Sequence, residues 1–336
     1  MFYNAPRERL IFLIIIIMKQ ITNTLLMIRP VAYRMNEQTA VNNYFQENLN
    51  LSDVVINAKA QKEFDVFVVK LRAVGVEVIV EDDILEMETP DSIFPNNWIS
   101  FHENGDVGLY PMFAENRRRE RREDILVSLE KEGFIIKDLI DYTTAEEEGL
   151  FLEGTGSLIL DRVNQKAYCA LSPRADEDLV IEFCEDFEFT PVIFNANQTV
   201  HGKRLPIYHT NVLMALGENI AVICLDSIDS KSEKKMVIQN LKEDGKELVK
   251  ISEDQMQQFA GNMLQVKGAN DQNYMVMSTA AFKSLNPEQI TIIEKRGPIV
   301  HSDLGTIEAC GGGSARCMMA EVFLPKDLKA NHFKNR

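Results

Sequence analysis

Short apolar runs that are typical of buried strands alternate along the chain with longer segments in which apolar residues recur at helical spacing. The clearest example runs through KAYCALS, ADEDLVIEFCEDFE, TPVIFNA and HTNVLMALG, which predicts a strand, an amphipathic helix, a second strand and, after a turn, a third strand. The same order recurs from GDVGLYPMF to EGTGSLILD, from NIAVICLDSI to AGNMLQVKG and from NYMVMST to GGGSARCMMAEVF, and more loosely from LLMIRPVAY to NNWISF. The pattern therefore predicts five copies of one α/β unit.

A polar residue stands at the same place in each unit, where the last strand is expected to open. These residues are Asn97, Glu153, His209, Asn262 and Cys317, and their numbers differ by 56, 56, 53 and 55. Units of this size stacked around an axis predict a closed, propeller-like α/β assembly with the helices outside. Equivalent positions of a closed ring converge, so we expect these side chains to meet near the centre. Strands and helices alternate in many other α/β folds, so the chemistry of the matched positions has to carry the choice.

The composition excludes some classes of partner. The formal net charge of −15 argues against nucleic acid, because phosphate binding requires a basic face. The five cysteines include no C-x-x-C pair, which fits neither a zinc site nor a disulfide framework. We therefore expect reduced thiols, a cytoplasmic protein and a small-molecule partner, while the oligomeric state stays open.

The chain termini are expected to lie outside the fold. The apolar run LIFLIIIIM, residues 10–18, is far shorter than the roughly 20 residues that span a bilayer. It resembles the apolar region of a signal peptide, but no small-residue cleavage site follows. We favour a start-site extension over a targeting segment for residues 1–17, one catalytic domain over residues 18–326, and a frayed tail over residues 327–336.

Cys317 is the candidate nucleophile, because it follows three glycines that indicate a tight turn or the close approach of a ligand. A cysteine nucleophile needs a histidine that moves protons and a carboxylate that orients or polarises the reacting group. His209 and Glu153 supply that set at the matched positions. The alternative is structural: a buried cysteine behaves as a small hydrophobe, and a lone histidine before an apolar strand is often a hydrogen-bonded structural residue. Among the other thiols, Cys310 borders the glycine turn and is less suitable, and three lie in apolar stretches and are expected in the core: Cys169, Cys184 and Cys224.

The motif series resembles that of the guanidino-group-modifying enzymes, also called the pentein superfamily. The motifs are PDSIFPNNW, LEGTGSLILD, ALSPRAD, YHTNVLM and GGGSARCMMAE, and they follow in order from about Met27 to Pro325. The superfamily includes arginine deiminases, dimethylarginine dimethylaminohydrolases and amidinotransferases. The segments RPVAYRMNEQTAVNNYFQ and FPNNWIS resemble the bacterial citrulline-hydrolysing branch, often labelled amidinotransferase. The resemblance implies a five-bladed α/β propeller of pseudo-fivefold ββαβ repeats.

The resemblance also implies the roles of the reacting residues. Cys317 would attack the central carbon of a guanidino or ureido group. His209 would protonate the leaving amine and then activate water, and Glu153 would hold a substrate nitrogen and the histidine. Asp91 would contact the substrate nitrogens. No metal and no cofactor are expected, because the leaving group departs by proton transfer.

Two arginines would bind the substrate carboxylate, since a guanidinium pairs with a carboxylate in a bidentate manner. Arg174 in LSPRAD would face the amino-acid carboxylate. Arg117 begins an R-x-x-E element that carries a second such arginine, but Arg118 or Arg119 could fill that place instead. The alternative interpretation of RRRERRED is a solvated helix face.

Amides replace carboxylates at two positions where deiminases usually carry acids, Asn97 and Asn211, and Asn96 is a further amide. A guanidinium offers only donors, whereas a ureido group also offers a carbonyl acceptor, which an asparagine can serve. We therefore expect citrulline to be hydrolysed to ornithine, ammonia and carbon dioxide. The alternatives are an arginine deiminase, a dimethylarginine dimethylaminohydrolase, an amidinotransferase and, more remotely, a non-catalytic ribosome-binding propeller.

Overall fold

The computed structural model describes residues 18–327. The expectations for residues 1–17 and for the tail beyond residue 327 therefore lie outside the described residues. Among residues 18–327 no helix is both long enough and apolar enough to cross a membrane.

The strands follow the predicted order of units. Their bounds are β1 Thr24–Arg29, β2 Glu77–Asp82, β3 Ile99–Phe101, β4 Val107–Leu109, β5 Leu139–Asp141, β6 Leu158–Asp161, β7 Lys166–Leu171, β8 Thr190–Asn195, β9 Asn197–Val200, β10 Lys203–Pro206, β11 Met214–Leu216, β12 Ile220–Ile223, β13 Glu247–Lys250, β14 Leu264–Lys267, β15 Asn273–Ser278, β16 Ile299–Ser302 and β17 Ala320–Glu321. The hairpin β9–β10 is an insertion in the third unit that the apolar pattern did not indicate.

The helices include one long helix in each unit and several single turns. Their bounds are α1 Glu37–Ala40, α2 Asp53–Ala73, α3 Glu123–Lys131, α4 Gly154–Ser157, α5 Glu177–Asp186, α6 Thr210–Leu213, α7 Lys231–Glu243, α8 Glu253–Gln257, α9 Thr279–Ser284, α10 Pro287–Glu294 and α11 Gly305–Gly311. The helix expected over RRERREDILVSLEKEG is divided: a 3₁₀ helix covers Glu115–Glu120, and α3 begins only at Glu123.

Five three-stranded sheets repeat one pattern of pairing. Each sheet takes the last strand of one unit, pairs it antiparallel with the first strand of the next unit, and adds the second strand in parallel; the orders are β3-β4-β5, β6-β7-β8, β11-β12-β13, β14-β15-β16 and β17-β1-β2. In the last sheet Leu26 pairs with Ala320, so hydrogen bonds join the two ends of the fold. This is a mixed α/β fold in which each sheet with its helix has the order ββαβ.

Each long helix buries one face against its sheet. In α2 the buried residues Ala60, Phe64, Phe67 and Leu71 recur at helical spacing, while Val54 on the opposite side is 81% exposed. The central strands are buried on both faces, as continuous apolar runs such as IAVI in β12 predict. Three cysteines lie in these cores, as expected: Cys169, Cys184 and Cys224. His102 is buried, and its ring stacks on that of Phe187 with the ring centres 3.9 Å apart.

The polar residues that mark the units do not open strands. Asn97 ends a 3₁₀ helix, Glu153 and His209 immediately precede α4 and α6, and Cys317 lies in a 3₁₀ helix over Ala315–Met318. Asn262 precedes β14 without a helix. One helical turn, GTGS in α4 and TNVL in α6, therefore separates Glu153 and His209 from the strand that follows.

Neighbouring turns are joined by hydrogen bonds from a side chain of one unit to a carbonyl of the preceding unit. Thr155 Oγ1 donates to Asn96 O at 3.3 Å, Thr210 Oγ1 to Ser157 O at 2.6 Å and Asn262 Nδ2 to Asn211 O at 2.9 Å. Thr210 Oγ1 also accepts a hydrogen bond from Ala170 N at 2.8 Å. These buried bonds fix the turns relative to one another, because an unpaired buried carbonyl is costly.

Thr210→Val should lower the free energy of unfolding by about 1 to 3 kcal/mol for each buried group left unpaired, here Ser157 O and Ala170 N. The same substitution at the exposed Thr291 provides the control and should change stability by less than about 0.5 kcal/mol. Urea unfolding followed by circular dichroism measures both. Equal effects of the two substitutions would contradict a structural role for the turn-to-turn bonds.

Candidate active site

The turns surround a small cavity of about 10 Å³ at the place where the units meet. Its walls come from four of the five units and from the segment before α2, and they consist of Thr39, Asn43, Asp91, Phe94, Asn97, Arg117, Arg174, Tyr208, His209, Gly311, Gly313 and Cys317. A space of this size holds about one water molecule, so the surrounding side chains or the segment before α2 must move before an amino acid can enter.

A carboxylate and an imidazole form the centre of the site. His209 Nε2 lies 2.7 Å from Glu153 Oε2, and Glu153 Oε1 accepts a hydrogen bond from Phe113 N at 3.0 Å. Burial alone would raise the pKa of Glu153, but Arg174, His209 and Arg117 hold it well below its usual range. The carboxylate is therefore ionised and fixes the orientation of the imidazole.

His209 is neutral at physiological pH. Burial lowers its pKa to about 4, although Glu153 acts in the opposite direction. With Nε2 donating to Glu153, Nδ1 carries a free lone pair, and this buried atom has no hydrogen-bond partner. The Nδ1 side of the ring packs against Gly156, where an added Cβ would lie 2.8 Å from Nδ1. His209 can therefore accept a proton inside the cavity.

Two side-chain amides surround the Cys317 sulfur. Asn262 Nδ2 donates to Sγ at 3.2 Å and Asn211 Nδ2 at 3.4 Å. Burial raises the pKa of the thiol, while the Ser314 backbone, the positive charge of Arg316 and these two amides act in the opposite direction. The resting sulfur is therefore a protonated thiol.

Arg174 reaches the cavity beside Glu153. Its guanidinium lies 4.9 Å above the Tyr208 ring, and Nη1 is 3.5 Å from Glu153 Oε2. Nε donates to Asn42 Oδ1 at 2.9 Å and Nη2 to Thr39 O at 2.9 Å. The donors that we expected to face a substrate carboxylate thus contact oxygen acceptors of the chain itself.

Arg117 is the arginine of the RRR run that lines the cavity. Its guanidinium makes a two-point ion pair with Glu120, through Nε at 2.9 Å and Nη2 at 2.8 Å. Arg118 instead pairs with Glu146, and Arg119 pairs with Glu88. Burial raises the pKa of Glu120 to about 8, with Asp91 acting in the same direction and Arg117 opposing it.

The direction of the amide hydrogen bonds beside Arg117 follows from its chemistry. A guanidinium can only donate, so Asn97 must turn Oδ1 toward Arg117 Nη1, at 2.9 Å. Asn97 Nδ2 then donates to Asn96 Oδ1 at 3.2 Å, which leaves the buried Asn96 Nδ2 without a partner. Asn97 lines the cavity, whereas Asn96 lies behind it. Asn97 Nδ2 therefore keeps one N–H besides the one that Asn96 accepts.

A segment at the start of the fold covers the cavity; we call residues 36–47 the covering segment. Asn36 Nδ2 and Thr39 Oγ1 donate to Asp91 Oδ2 at 2.8 and 3.1 Å, while Asp91 Oδ1 is buried without a partner. Burial raises the pKa of Asp91, and Arg117 and Asn36 oppose the shift. Asp91 therefore keeps one free acceptor.

The glycine triplet serves the covering segment. Gly312 has φ +60°, and an added Cβ would lie 2.6 Å from the Asn43 amide, whose Nδ2 donates to Gly311 O at 3.0 Å. At Gly313 an added Cβ would meet the Phe94 ring at 3.0 Å. The close approach that the glycines indicated is thus made by protein side chains.

The structure brings the candidate residues together. Six of them line the cavity directly: Cys317, His209, Asp91, Asn97, Arg117 and Arg174. Glu153 and Asn211 contact His209 and Cys317, and Asn96 contacts Asn97. Sequence reasoning gave no chemical role to Asn262 or Tyr208, although the repeat spacing pointed to Asn262. Among the described residues no group of three or more metal-binding side chains is arranged to hold a metal ion.

Residues 29–324 match the protein family described as N,N dimethylarginine dimethylhydrolase, eukaryotic. This match covers most of the chain, including every candidate residue. Comparison with curated proteins gives no match.

Solved structures share the fold. The apo structure of ArgZ, an arginine dihydrolase from the ornithine–ammonia cycle in cyanobacteria, superposes with a TM-score of 0.69 at 15% identity, over 91% of this chain and 42% of ArgZ. The chain thus spans about two fifths of ArgZ, and it covers 97% of the substrate-bound N-terminal domain of ArgZ, with a TM-score of 0.66 over 89% of this chain at 15% identity. A dimethylarginine dimethylaminohydrolase adduct with S-methyl-L-thiocitrulline superposes with a TM-score of 0.59 at 13% identity, over 90% of this chain and 99% of that one. At such identities the likeness establishes the fold alone.

Alkylation of Cys317 by iodoacetamide should be slow at pH 7 and should accelerate about tenfold per pH unit for as long as the sulfur stays protonated, because burial raises the pKa of the thiol. Peptide mass spectrometry across pH 6–10 measures the rate, and Cys317→Ala identifies the signal. Fast labelling of Cys317 that does not change between pH 6 and 8 would contradict a resting thiol.

Proposed function

The chain belongs to the family described as N,N dimethylarginine dimethylhydrolase, eukaryotic, and from this membership and the geometry of the cavity we propose that it is a cysteine-dependent hydrolase of the ureido or guanidino group of a small arginine-like amino acid. Citrulline is the substrate that the site favours, with ornithine, ammonia and carbon dioxide as products. We propose in addition that the five sheets are the blades of a closed five-bladed propeller, which the β17–β1 pairing and the turn-to-turn hydrogen bonds support.

The observation that carries the choice of citrulline is the fixed polarity of the Arg117–Asn97 hydrogen bond. Because Asn97 must accept from Arg117, its remaining group is the donor Nδ2, of which Asn96 Oδ1 takes one N–H and leaves the other for a substrate. A ureido oxygen accepts such a donor, whereas every nitrogen of a guanidinium donates and would meet it unfavourably. A carbonyl carbon whose oxygen accepts this N–H is polarised for attack by the sulfur.

The residues can carry out both halves of a hydrolysis. In the first half, the Cys317 sulfur bonds to the ureido carbon and its proton passes to His209 Nδ1. His209 then returns this proton to the departing nitrogen as the C–N bond breaks, and ammonia leaves a thiocarbamate on the sulfur.

In the second half, water attacks the same carbon and gives a proton to His209, which returns it to the departing sulfur. The released carbamate then loses carbon dioxide and leaves ornithine. The sum is citrulline plus water giving ornithine, ammonia and carbon dioxide. Glu153 stabilises the imidazolium that forms in each half, because it is ionised and lies 2.7 Å from Nε2.

Arg174 and Asp91 would hold the amino-acid end of the substrate. Arg174 would bind the carboxylate by exchanging its contacts to Asn42 and Thr39 for substrate oxygens. The free Oδ1 of Asp91 would accept a hydrogen bond from a substrate nitrogen. Arg117 contributes positive charge while it stays paired with Glu120.

One observation favours a second candidate, a cationic guanidino substrate. The buried cluster holds three carboxylates, Asp91, Glu120 and Glu153, against two guanidiniums, Arg117 and Arg174, which is one carboxylate in excess. A substrate cation would neutralise that charge. Arginine, or a methylated arginine, is therefore the alternative.

The substrate panel decides between the candidates. Purified protein is given citrulline, arginine or dimethylarginine, and ammonia and ornithine are measured, with Cys317→Ala as the inactive control. Ornithine from citrulline but not from arginine is the expected result. Ornithine from arginine by way of citrulline would favour the second candidate, and no ornithine from any of them would contradict ureido hydrolysis.

Gly156→Ala should lower kcat about 100-fold on the accepted substrate, because the new Cβ clashes with Asn97 Nδ2 and lies 2.8 Å from His209 Nδ1, and so displaces both side chains by a fraction of an ångström to an ångström. Gly305→Ala is the control, since its nearest neighbour, Asp303 Oδ1, is 3.6 Å from the added Cβ. Thermal unfolding of both variants separates misplacement of these side chains from loss of the fold. Unchanged kcat in Gly156→Ala would contradict the roles assigned to Asn97 and His209.

A further inference from the structure

Asn262 has a position that the proposed chemistry does not yet use. It is fully buried, and it precedes β14 in the fourth unit, at the place that Glu153, His209 and Cys317 occupy in theirs. All three polar groups of its side-chain amide have a partner: Oδ1 accepts from Arg316 N at 3.0 Å, and Nδ2 donates to Asn211 O at 2.9 Å and to Cys317 Sγ at 3.2 Å. An amide with every group paired in this way is rigid.

The orientation of this amide follows from its partners. A backbone N–H can only donate, so the group turned toward Arg316 N must be the oxygen. A backbone carbonyl can only accept, so the group turned toward Asn211 O must be the nitrogen. The second N–H of Nδ2 is therefore directed at the sulfur by two backbone contacts, and Arg316 is the chain neighbour of Cys317. Displacement of Cys317 and displacement of this donor are consequently coupled.

Asn211 lies on the other side of the sulfur with a different geometry. Its Nδ2 is 3.4 Å and its Oδ1 3.7 Å from Sγ, so this amide can serve a thiol proton as an acceptor and a bare sulfur as a donor. Asn262 offers only a donor. Arg316 is the chain neighbour of Cys317 and carries a positive charge. Its guanidinium donates hydrogen bonds to Met319 O and to Glu321, and not to the sulfur.

We infer that Asn262 is a catalytic residue, whose rigidly held amide N–H stabilises the Cys317 thiolate when the proton moves to His209, with Asn211 as the adaptable second donor. This inference rests on the proposed function, because it gives Cys317 the part of nucleophile. It deepens that function by naming the neutral donor pair that contacts the sulfur anion, in addition to the positive charge of Arg316, which acts without a hydrogen bond to the sulfur. A hydrogen bond to an ionised group is stronger than one to its neutral form, so the donor favours the anion.

The test measures the thiol and needs no substrate. In Asn262→Ala, alkylation of Cys317 by iodoacetamide at pH 8 should be about tenfold slower or more, with the same tenfold rise per pH unit, because the sulfur loses a donor to its anion. Alkylation of Cys317 should be slower still in Asn262→Asp, because the carboxylate keeps the contact to Arg316 N but opposes negative charge on the sulfur.

A purely structural role predicts the opposite sign. Removal of a packing side chain opens the pocket, and iodoacetamide then reaches the buried sulfur faster. Alkylation of Asn262→Ala that is as fast as that of the unaltered protein, or faster, would therefore overturn the inference. Gln265→Ala is the matched control: this buried amide lies three residues further on, and its hydrogen bonds go to the main-chain groups of Glu218 and Arg296. It should leave the alkylation rate unchanged.

The outcome is separable from the substrate question. If no tested amino acid is hydrolysed but Asn262→Ala slows alkylation, the proposed substrate is wrong and the donor role stands. If citrulline is hydrolysed, Asn262→Ala should lower kcat about tenfold or more with little change in KM, because the amide touches the sulfur rather than the substrate. Equal kcat values for Asn262→Ala and the unaltered protein would contradict the inference.

Discussion

The hydrogen bond between the ionised Glu153 and the neutral His209 determines what the rest of the cavity must do. A fully buried carboxylate is stable only when charged or hydrogen-bonded partners surround it, and Glu153 has Arg174, Arg117 and the Phe113 N–H in addition to the imidazole. The two arginines in turn need hydrogen-bond acceptors, which Glu120, Asn97 and Asn42 supply. The cavity is thus a network of buried charges, and its geometry is rigid because few other arrangements satisfy all of its members.

Groups that can only donate hydrogen bonds fix the orientation of the side-chain amides in this network. Arg117 fixes which way Asn97 turns, and the Arg316 N–H fixes Asn262. In each case the result is an amide N–H at the side where the reaction is proposed to occur. Together with a neutral His209 and a protonated Cys317, the resting site holds its proton on the sulfur and its free lone pair on the imidazole. The proposed reaction then begins with one proton transfer within the cavity, from the sulfur to the imidazole.

Much of this arrangement was accessible from the sequence. The spacing of Glu153, His209 and Cys317 predicted that they converge, because a repeated unit places equivalent residues at equivalent sites. The expectation that these residues open strands was wrong, because a single helical turn before a strand is too short to produce a helical spacing of apolar residues that could be recognised in the sequence. The covering segment could not be placed either, because its contacts are long-range hydrogen bonds from residues such as Asn36 and Asn43. Nor could the sequence choose Arg117 over its neighbours: the choice depends on which residue of a short 3₁₀ helix faces inward.

The most direct test of the account is whether the reaction passes through Cys317 as a covalent thiocarbamate. Protein mixed with citrulline is quenched in acid within the first turnovers and digested, and the peptide that contains Cys317 is weighed by mass spectrometry. The account predicts that the mass of this peptide increases by that of citrulline minus ammonia. The increase should occur on Cys317 alone and should vanish when citrulline is exhausted. Steady turnover of citrulline with no adduct on Cys317 at any time, or undiminished turnover by Cys317→Ala, would contradict it.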